Sequence, residues 1–189
     1  MNRFRRQLLW FALVASAACK KDGGRQADSV VYITPQMPLA GKPPQVSYRG
    51  IGALRVGMTV PEARNAVPRF EVSEDALKIG CGYATAPELP AGVSVMVENG
   101  IVARVEVDTT GIPTPEGALV GDTEQRVKSL YGNRISVSPH KYTDGHYLTV
   151  RPTFLADSAY RIVFETDGQR VLEYRVGKPP QVDYVEGCS

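Results

Sequence analysis

Alternating apolar and polar residues mark two β-hairpins, one in the middle of the chain and one near its end. In the first, valines alternate with other residues over 93–97, and a second alternating run follows over 101–107. Residues 160–164 and 171–176 repeat the arrangement. A Gly-containing turn, Asn99-Gly100 in the first hairpin, separates the two runs of each pair. Because side chains alternate between the two faces of a strand, each pair predicts an antiparallel hairpin with one face in a core.

The loop of each hairpin decides which side chains share a face. A two-residue turn in the first hairpin would pair Val95 with Arg104 and put a charge in the core. A three-residue loop pairs Val95 with Ala103 and, in the second hairpin, Phe164 with Leu172. We therefore predict three-residue loops, with the charged residues on the opposite face.

An internal repeat precedes each hairpin. Residues 52–59 recur with changes at 117–123, and both copies end in threonine. The spacing between these two stretches is large enough for each to belong to its own copy of one structural unit. The tandem repeat is the main guide to how the chain is organised.

Each copy of the repeat opens a short helix. Thr59 and Glu62 have the spacing of a capping box, in which each side chain bonds the other residue's backbone N–H. In the second copy Thr123 or Asp122 caps the helix, and Gly132 ends it.

Helix and strands together predict an α+β fold of two tandem helix-plus-antiparallel-sheet units that form one body. The first unit spans residues 46–112, and the second spans 113–189 and includes a C-terminal tail. Their combined core is large enough for the two units to fold as one body.

A Pro-Pro segment occurs once on each side of these units. Residues 41–48 reappear, with one change, at 177–184. Because proline is tolerated at strand starts and sheet edges, the segments suggest a pair of edge strands that close the body.

The first 18 residues have the layout of a bacterial export signal. Arginines precede an apolar run that is too short to span a bilayer, and small residues lead to Cys19. The pattern predicts removal of residues 1–18 and lipid attachment at Cys19. Cleavage by ordinary signal peptidase after Ala17 is the alternative, and it would leave Cys19 as an exposed thiol.

Residues 19–45 are predicted to form a lipidated tether, because this stretch is punctuated by glycines and prolines. Cys81 and Cys188 remain for the folded part. An even pair of cysteines in an exported chain predicts a disulfide.

Charge excludes nucleic acid as a partner. The full chain has 22 Lys+Arg and 20 Asp+Glu, but three of the arginines lie in the signal segment, which has no acidic residue. The remaining chain has a net charge close to −1 and no basic stripe.

Residues 54–59 together with Glu62 resemble the small outer-membrane assembly lipoproteins of the SmpA/OmlA type. Two such units in tandem are similar to the β-lactamase-inhibitor protein architecture. The resemblance implies paired helix-plus-sheet units with a concave binding surface, in the bacterial envelope. The second copy departs from the motif, because Asp122 stands where the first copy has methionine.

Candidate chemistry is sparse. His140 and His146 are the two histidines, and their spacing is not that of a helical metal-binding pair. The sequence has no nucleophile elbow and no phosphate-binding glycine motif. We therefore expect no enzyme activity, no cofactor and no metal.

Aromatic residues around the His140–His146 turn predict a partner-binding site at His140, Tyr142 and Tyr147. The next candidate is the sheet face bearing Arg104, Glu106, Glu173 and Arg175. The expected function is that of a non-catalytic, lipid-anchored envelope protein that faces the periplasm, with the outer membrane favoured, and binds another protein. The alternative is a secreted-type inhibitor of a hydrolase, using a concave surface between the two units.

Overall fold

The structure is a computed structural model that describes residues 45–188. The predicted signal peptide, Cys19 and almost all of the predicted tether lie outside the described residues. None of the helices between residues 45 and 188 has the length and apolar character needed to cross a membrane.

Eleven strands and three short α-helices make up the described part of the chain. The strands are β1 (Val46–Ser47), β2 (Gly50–Ile51), β3 (Leu54–Arg55), β4 (Glu71–Val72), β5 (Cys81–Thr85), β6 (Val93–Glu98), β7 (Ile101–Val107), β8 (Ile135–Pro139), β9 (His146–Val150), β10 (Arg161–Thr166) and β11 (Val171–Gly177). The helices are α1 (Val60–Ala66), α2 (Glu74–Ile79) and α3 (Glu124–Tyr131), and 3-10 turns occupy Gly132–Arg134, Leu155–Asp157 and Gln181–Asp183.

A single antiparallel sheet of eight strands dominates the fold, in the order β4-β5-β6-β7-β11-β10-β9-β8. Strands β1, β2 and β3 form a separate small sheet. The prediction of an α+β fold with one helix-plus-sheet unit after another is therefore wrong: the helices are only 7, 6 and 8 residues long, and the molecule is mostly antiparallel β-sheet.

The two predicted units merge because their last strands pair. Tyr174 lies opposite Val107 and Val176 opposite Val105 in the β7–β11 ladder. Two separate sheets would each have kept an edge with unpaired backbone groups at these strands, and the pairing removes both edges. All four side chains are fully buried on the face that also packs against the helices.

The helix starts follow the sequence prediction. Thr59 accepts a bond from the backbone N–H of Glu62, whose carboxylate accepts the N–H of Thr59 at 2.8 Å, so the capping box is confirmed. Thr123, rather than Asp122, caps α3. Gly132 follows α3 with a φ of 55°, in the range that favours glycine.

Both helix starts are held to the sheet by the same set of backbone bonds. Gly57 and Gly121 each donate to a valine carbonyl, that of Val102 at 2.8 Å and that of Val171 at 2.9 Å. The same two valines donate back, to the carbonyls of Met58 and Asp122. The two stretches that resemble each other in sequence thus occupy matching positions beside β7 and β11.

The predicted three-residue loops are wrong. Glu98 pairs with Ile101 across a two-residue turn in which Asn99 and Gly100 both have positive φ, the geometry that a tight hairpin requires. A β-bulge between Met96 and Val97 then shifts the register.

The bulge keeps the charged side chain of Arg104 out of the core between the sheet and the helices. It leaves Ala103 without a partner, and Val95 pairs with Val105 instead of Ala103. One extra residue changes which face each later side chain occupies, so a short turn no longer places Arg104 in the core.

A matching bulge occurs in the second hairpin. Phe164 pairs with Tyr174, and the unpaired residue is Leu172, which is exposed rather than in the core as predicted. The second Pro-Pro segment is also not an edge strand, because Gln181–Asp183 is a 3-10 turn.

Candidate interaction surfaces

The C-terminal residues 178–188 form a strap across the sheet face opposite the helices. Val182 is fully buried there and packs with Tyr147 and Val163, and Val185 lies against the same cluster. A disulfide joins Cys188 to Cys81 on β5, with the two Cα atoms 5.3 Å apart. The strap is therefore attached to the sheet by apolar packing along its length and by a covalent bond at its end.

Two arginines of the sheet bind the strap's backbone. Arg104 donates to the carbonyls of Gln181 at 3.0 Å and Tyr184 at 2.7 Å. Arg175 donates to the carbonyl of Val182 at 2.8 Å. Both arginines are almost fully buried, so this predicted binding face is occupied by the protein's own chain.

Carboxylates beside these arginines compensate their charge. Arg104 lies 2.5 Å from Glu106, and Arg175 lies 3.0 Å from Glu165 and 3.3 Å from Glu173. Burial, together with the nearby Glu165 carboxylate, raises the pKa of Glu173. Beneath the strap the arginines and carboxylates form ion pairs, which explains how charged side chains remain on a buried face.

The predicted partner-binding residues divide into buried and exposed ones. Tyr147 is buried, and the side chain of the half-buried His140 is 7% exposed. Their rings stack at 4.7 Å between centroids, and the guanidinium of Arg175 lies 5.6 Å from the Tyr147 ring. Tyr142 is 61% exposed and bonds Glu186 of the strap. Of the three residues, only Tyr142 offers a ring to a partner in this structure.

The two histidines have separate structural roles. His140 accepts the backbone N–H of Tyr142 at 3.0 Å through Nδ1, so its Nε2 donates to Glu165 at 2.8 Å. His146 bonds Glu124 of α3 at 2.7 Å, away from His140. Within residues 45–188 no group of three or more His, Cys, Asp or Glu side chains could hold a metal ion.

The Glu124 carboxylate of α3 has a perturbed pKa. Burial opposes its ionisation, but hydrogen bonds from Lys128, Thr166 and His146 outweigh this and lower its pKa to about 2. The site lies where α3 meets β9 and β10, and each donor belongs to an element that packs there. Glu124 therefore joins three elements as a structural anion.

A groove of about 630 Å³ lies between the end of α1 and residues 86–90. Its lining is mostly apolar and proline side chains, with Glu88 as the charged member. Glu88 is already paired with Arg69 at 2.7 Å. This groove lacks the converging polar groups that a catalytic site needs.

Strand β8 is an open edge of the large sheet. It pairs with β9 on one side, and within the described residues no strand pairs with its other side. Its side chains are mostly exposed, and Val137 is 47% exposed. The exposed Tyr142 lies in the turn directly after it.

Two exposed apolar residues were missed by the sequence analysis. Phe154 and Leu155 are 76% and 88% exposed in the β9–β10 connection. The signal available in the sequence was an adjacent apolar pair after Pro152, outside any alternating run.

Comparison with solved structures gives only distant likeness. No family model matches the chain, and no curated protein matches it. The chain is similar in structure to the uncharacterized protein yfeY from Escherichia coli, with 14% identity, a TM-score of 0.42, and coverage of 71% of this chain and 99% of that one. The resemblance to SmpA/OmlA-type units and to the β-lactamase-inhibitor architecture stays a prediction.

Proposed function

We propose that this chain is a non-catalytic, lipid-anchored protein of the bacterial envelope that binds a protein partner by adding the partner's strand to β8. The observation that carries the proposal is the open β8 edge. The export signal and Cys19 support the location, with the periplasm-facing side of the outer membrane favoured.

Alternate residues of β8 bond to β9, and the residues between them have backbone groups that are free to bond a partner. Arg151 donates to the carbonyl of Arg134, and His140 donates to the carbonyl of Gly145, so even-numbered residues of this stretch bond to β9. Antiparallel ladders alternate, and the backbone groups of Ile135 and Val137 therefore point away from the sheet. An extended peptide can bond to them, as in strand addition at other sheet edges.

The neighbouring turn supplies specificity. Tyr142 is exposed beside the edge, and Lys141 bonds Glu186 at 3.2 Å on the exposed side of the same turn. An aromatic ring held in place by the strap gives a partner contact area at little entropic cost.

The test is crosslinking in intact cells from a photoreactive residue at position 142. We expect an identified envelope protein to be captured there, and Val137→Pro to abolish capture, because proline removes an outward N–H without breaking a β8–β9 bond. Val137→Thr is the matched control that keeps the N–H. Undiminished capture by Val137→Pro would rule out strand addition.

The anchor is tested separately by labelling with a clickable fatty acid. The wild-type protein should take up the label, and Cys19→Ser should not. Equal labelling of the two would show that Cys19 carries no lipid.

The hydrolase-inhibitor alternative relied on a concave surface between two separate units. The hairpins of both predicted units lie in one eight-stranded sheet, and the strap covers the face opposite the helices. No observation of the described residues favours the inhibitor over the strand-binding function.

A further inference from the structure

The β9–β10 connection holds Phe154 and Leu155 in a fixed, solvent-facing position. A 3-10 turn at Leu155–Asp157 orders the loop, with backbone bonds from Asp157 to Phe154 and from Ser158 to Leu155. Arg161 donates to the carbonyl of Ser158 at 2.7 Å and secures its far side. A rigid loop that exposes two adjacent large apolar side chains indicates a contact surface, because scattered single exposed residues are the usual pattern.

Cationic side chains contact the residues that follow this apolar pair. Arg49 pairs with Asp157 and bonds the carbonyl of Ala156 at 3.0 Å. The ring of Tyr160 lies 5.8 Å from the guanidinium of Arg49 and 4.9 Å from the amine of Lys178.

The remaining arginines add to the positive charge. Arg151 is exposed three residues before Phe154, and Arg161 closes the loop. Across the described residues, Arg151, Arg161 and Lys178 have no carboxylate within ion-pair distance. The loop and its contacts therefore present four cationic side chains against the single carboxylate of Asp157.

The first residues that the structure describes include one that contacts this loop. Gln45 begins the described chain, and Arg49, four residues later, contacts the loop directly. About 26 residues separate Gln45 from Cys19, a length that spans on the order of 25–30 Å if flexible. A lipid at Cys19 would therefore keep this end of the body within reach of a membrane surface.

We propose that Phe154 and Leu155 insert into the interfacial layer of an anionic phospholipid bilayer, with Arg151, Arg161 and Lys178 facing the phosphates. Apolar side chains flanked by cations bind such surfaces through burial and charge attraction together. This contact fixes which side of the domain faces the membrane, and it does not need the β8 edge.

Tryptophan fluorescence tests the insertion. The chain's one tryptophan is Trp10, so the chain from residue 19 with Cys19→Ser has none, and Leu155→Trp gives a single reporter. Its emission should shift to shorter wavelength with vesicles of phosphatidylglycerol and phosphatidylcholine, and much less with phosphatidylcholine alone. Ile79→Trp is the matched control, because Ile79 is 75% exposed on α2, which packs beside β5 in the other half of the sheet from β9 and β10.

Co-sedimentation with the same anionic vesicles gives the affinity. Replacing Phe154 and Leu155 together with serine should weaken binding about tenfold or more, and Arg151→Glu about fivefold. All three residues are exposed, so the urea midpoint of each variant should stay unchanged and confirm folding.

Two results would overturn the membrane proposal: an unshifted emission for Leu155→Trp, or an equal shift for Ile79→Trp. If Leu155→Trp stays unshifted and a photoreactive residue at 155 captures a protein in cells, this loop is a protein-binding site instead. Val137→Pro should leave the vesicle response intact, which separates this test from that of the β8 edge.

Discussion

The guanidinium of Arg104 donates a hydrogen bond to the backbone carbonyl of Tyr184, 2.7 Å away and 80 residues further along the chain. Arg104 lies on β7 at the middle of the sheet, and Tyr184 lies on the strap. This contact turns a charged sheet face, which the sequence suggests for partner binding, into an internal interface.

Arg104→Met should lower the free energy of unfolding by about 2–3 kcal/mol, because it removes the guanidinium bonds to the carbonyls of Gln181 and Tyr184 and leaves the Glu106 carboxylate without its buried cation. Urea denaturation measures the change. Arg126→Met is the control, since the Arg126 side chain that pairs with Asp122 is 52% exposed, and it should cost no more than about 0.5 kcal/mol. Equal losses in the two variants would mean that Arg104 does not hold the strap.

Replacing Cys81 and Cys188 together with alanine should destabilise the protein by up to about 4–5 kcal/mol. The disulfide joins residues 107 apart, and on the chain-entropy model a loop of this length strongly restricts the unfolded chain. Denaturation of the wild type with and without a reductant should give the same difference as the double variant. A midpoint that does not respond to reductant would show that the bond is absent from the protein in solution.

Glu124→Gln should reduce stability by about 2 kcal/mol at neutral pH, and this loss should shrink as the pH falls from 5 to 2. The folded pKa of Glu124, about 2, lies below its ordinary value of 4.5, so the ionised form stabilises the fold above the unfolded pKa and loses that effect on acidification. Denaturation of both proteins across this pH range measures the difference. Glu74→Gln, at a nearly fully exposed position, should show almost none.

Tyr147→Phe should change stability by less than about 1 kcal/mol, in either direction. The Tyr147 hydroxyl is buried and has no hydrogen-bond partner among the described residues, so its removal loses no bond. Tyr147→Ala should cost about 3 kcal/mol, because it empties the space between His140, Val182 and Arg175. A large loss from the phenylalanine variant would indicate a water or ligand bound to the hydroxyl.

The sequence alone determined the features that depend on neighbouring residues. The Thr59–Glu62 capping box and the cap at Thr123 follow from side chains that reach backbone groups three residues away. The two hairpins also followed, because alternation and a Gly-containing turn are local signals. The Cys81–Cys188 pair could be named because only two cysteines remain once Cys19 is assigned to the lipid.

Only the tertiary structure decided the register, the joining of the sheets and the strap. A bulge at Ala103 or Leu172 changes the face of every later residue in its strand, and no residue type marks it in advance. The β7–β11 pairing joins strands 70 residues apart, so local alternation fits one sheet or two equally well. Arg104 and Arg175 look like solvent-exposed charges in the sequence, and they are buried because a distant segment supplies the carbonyls that satisfy them.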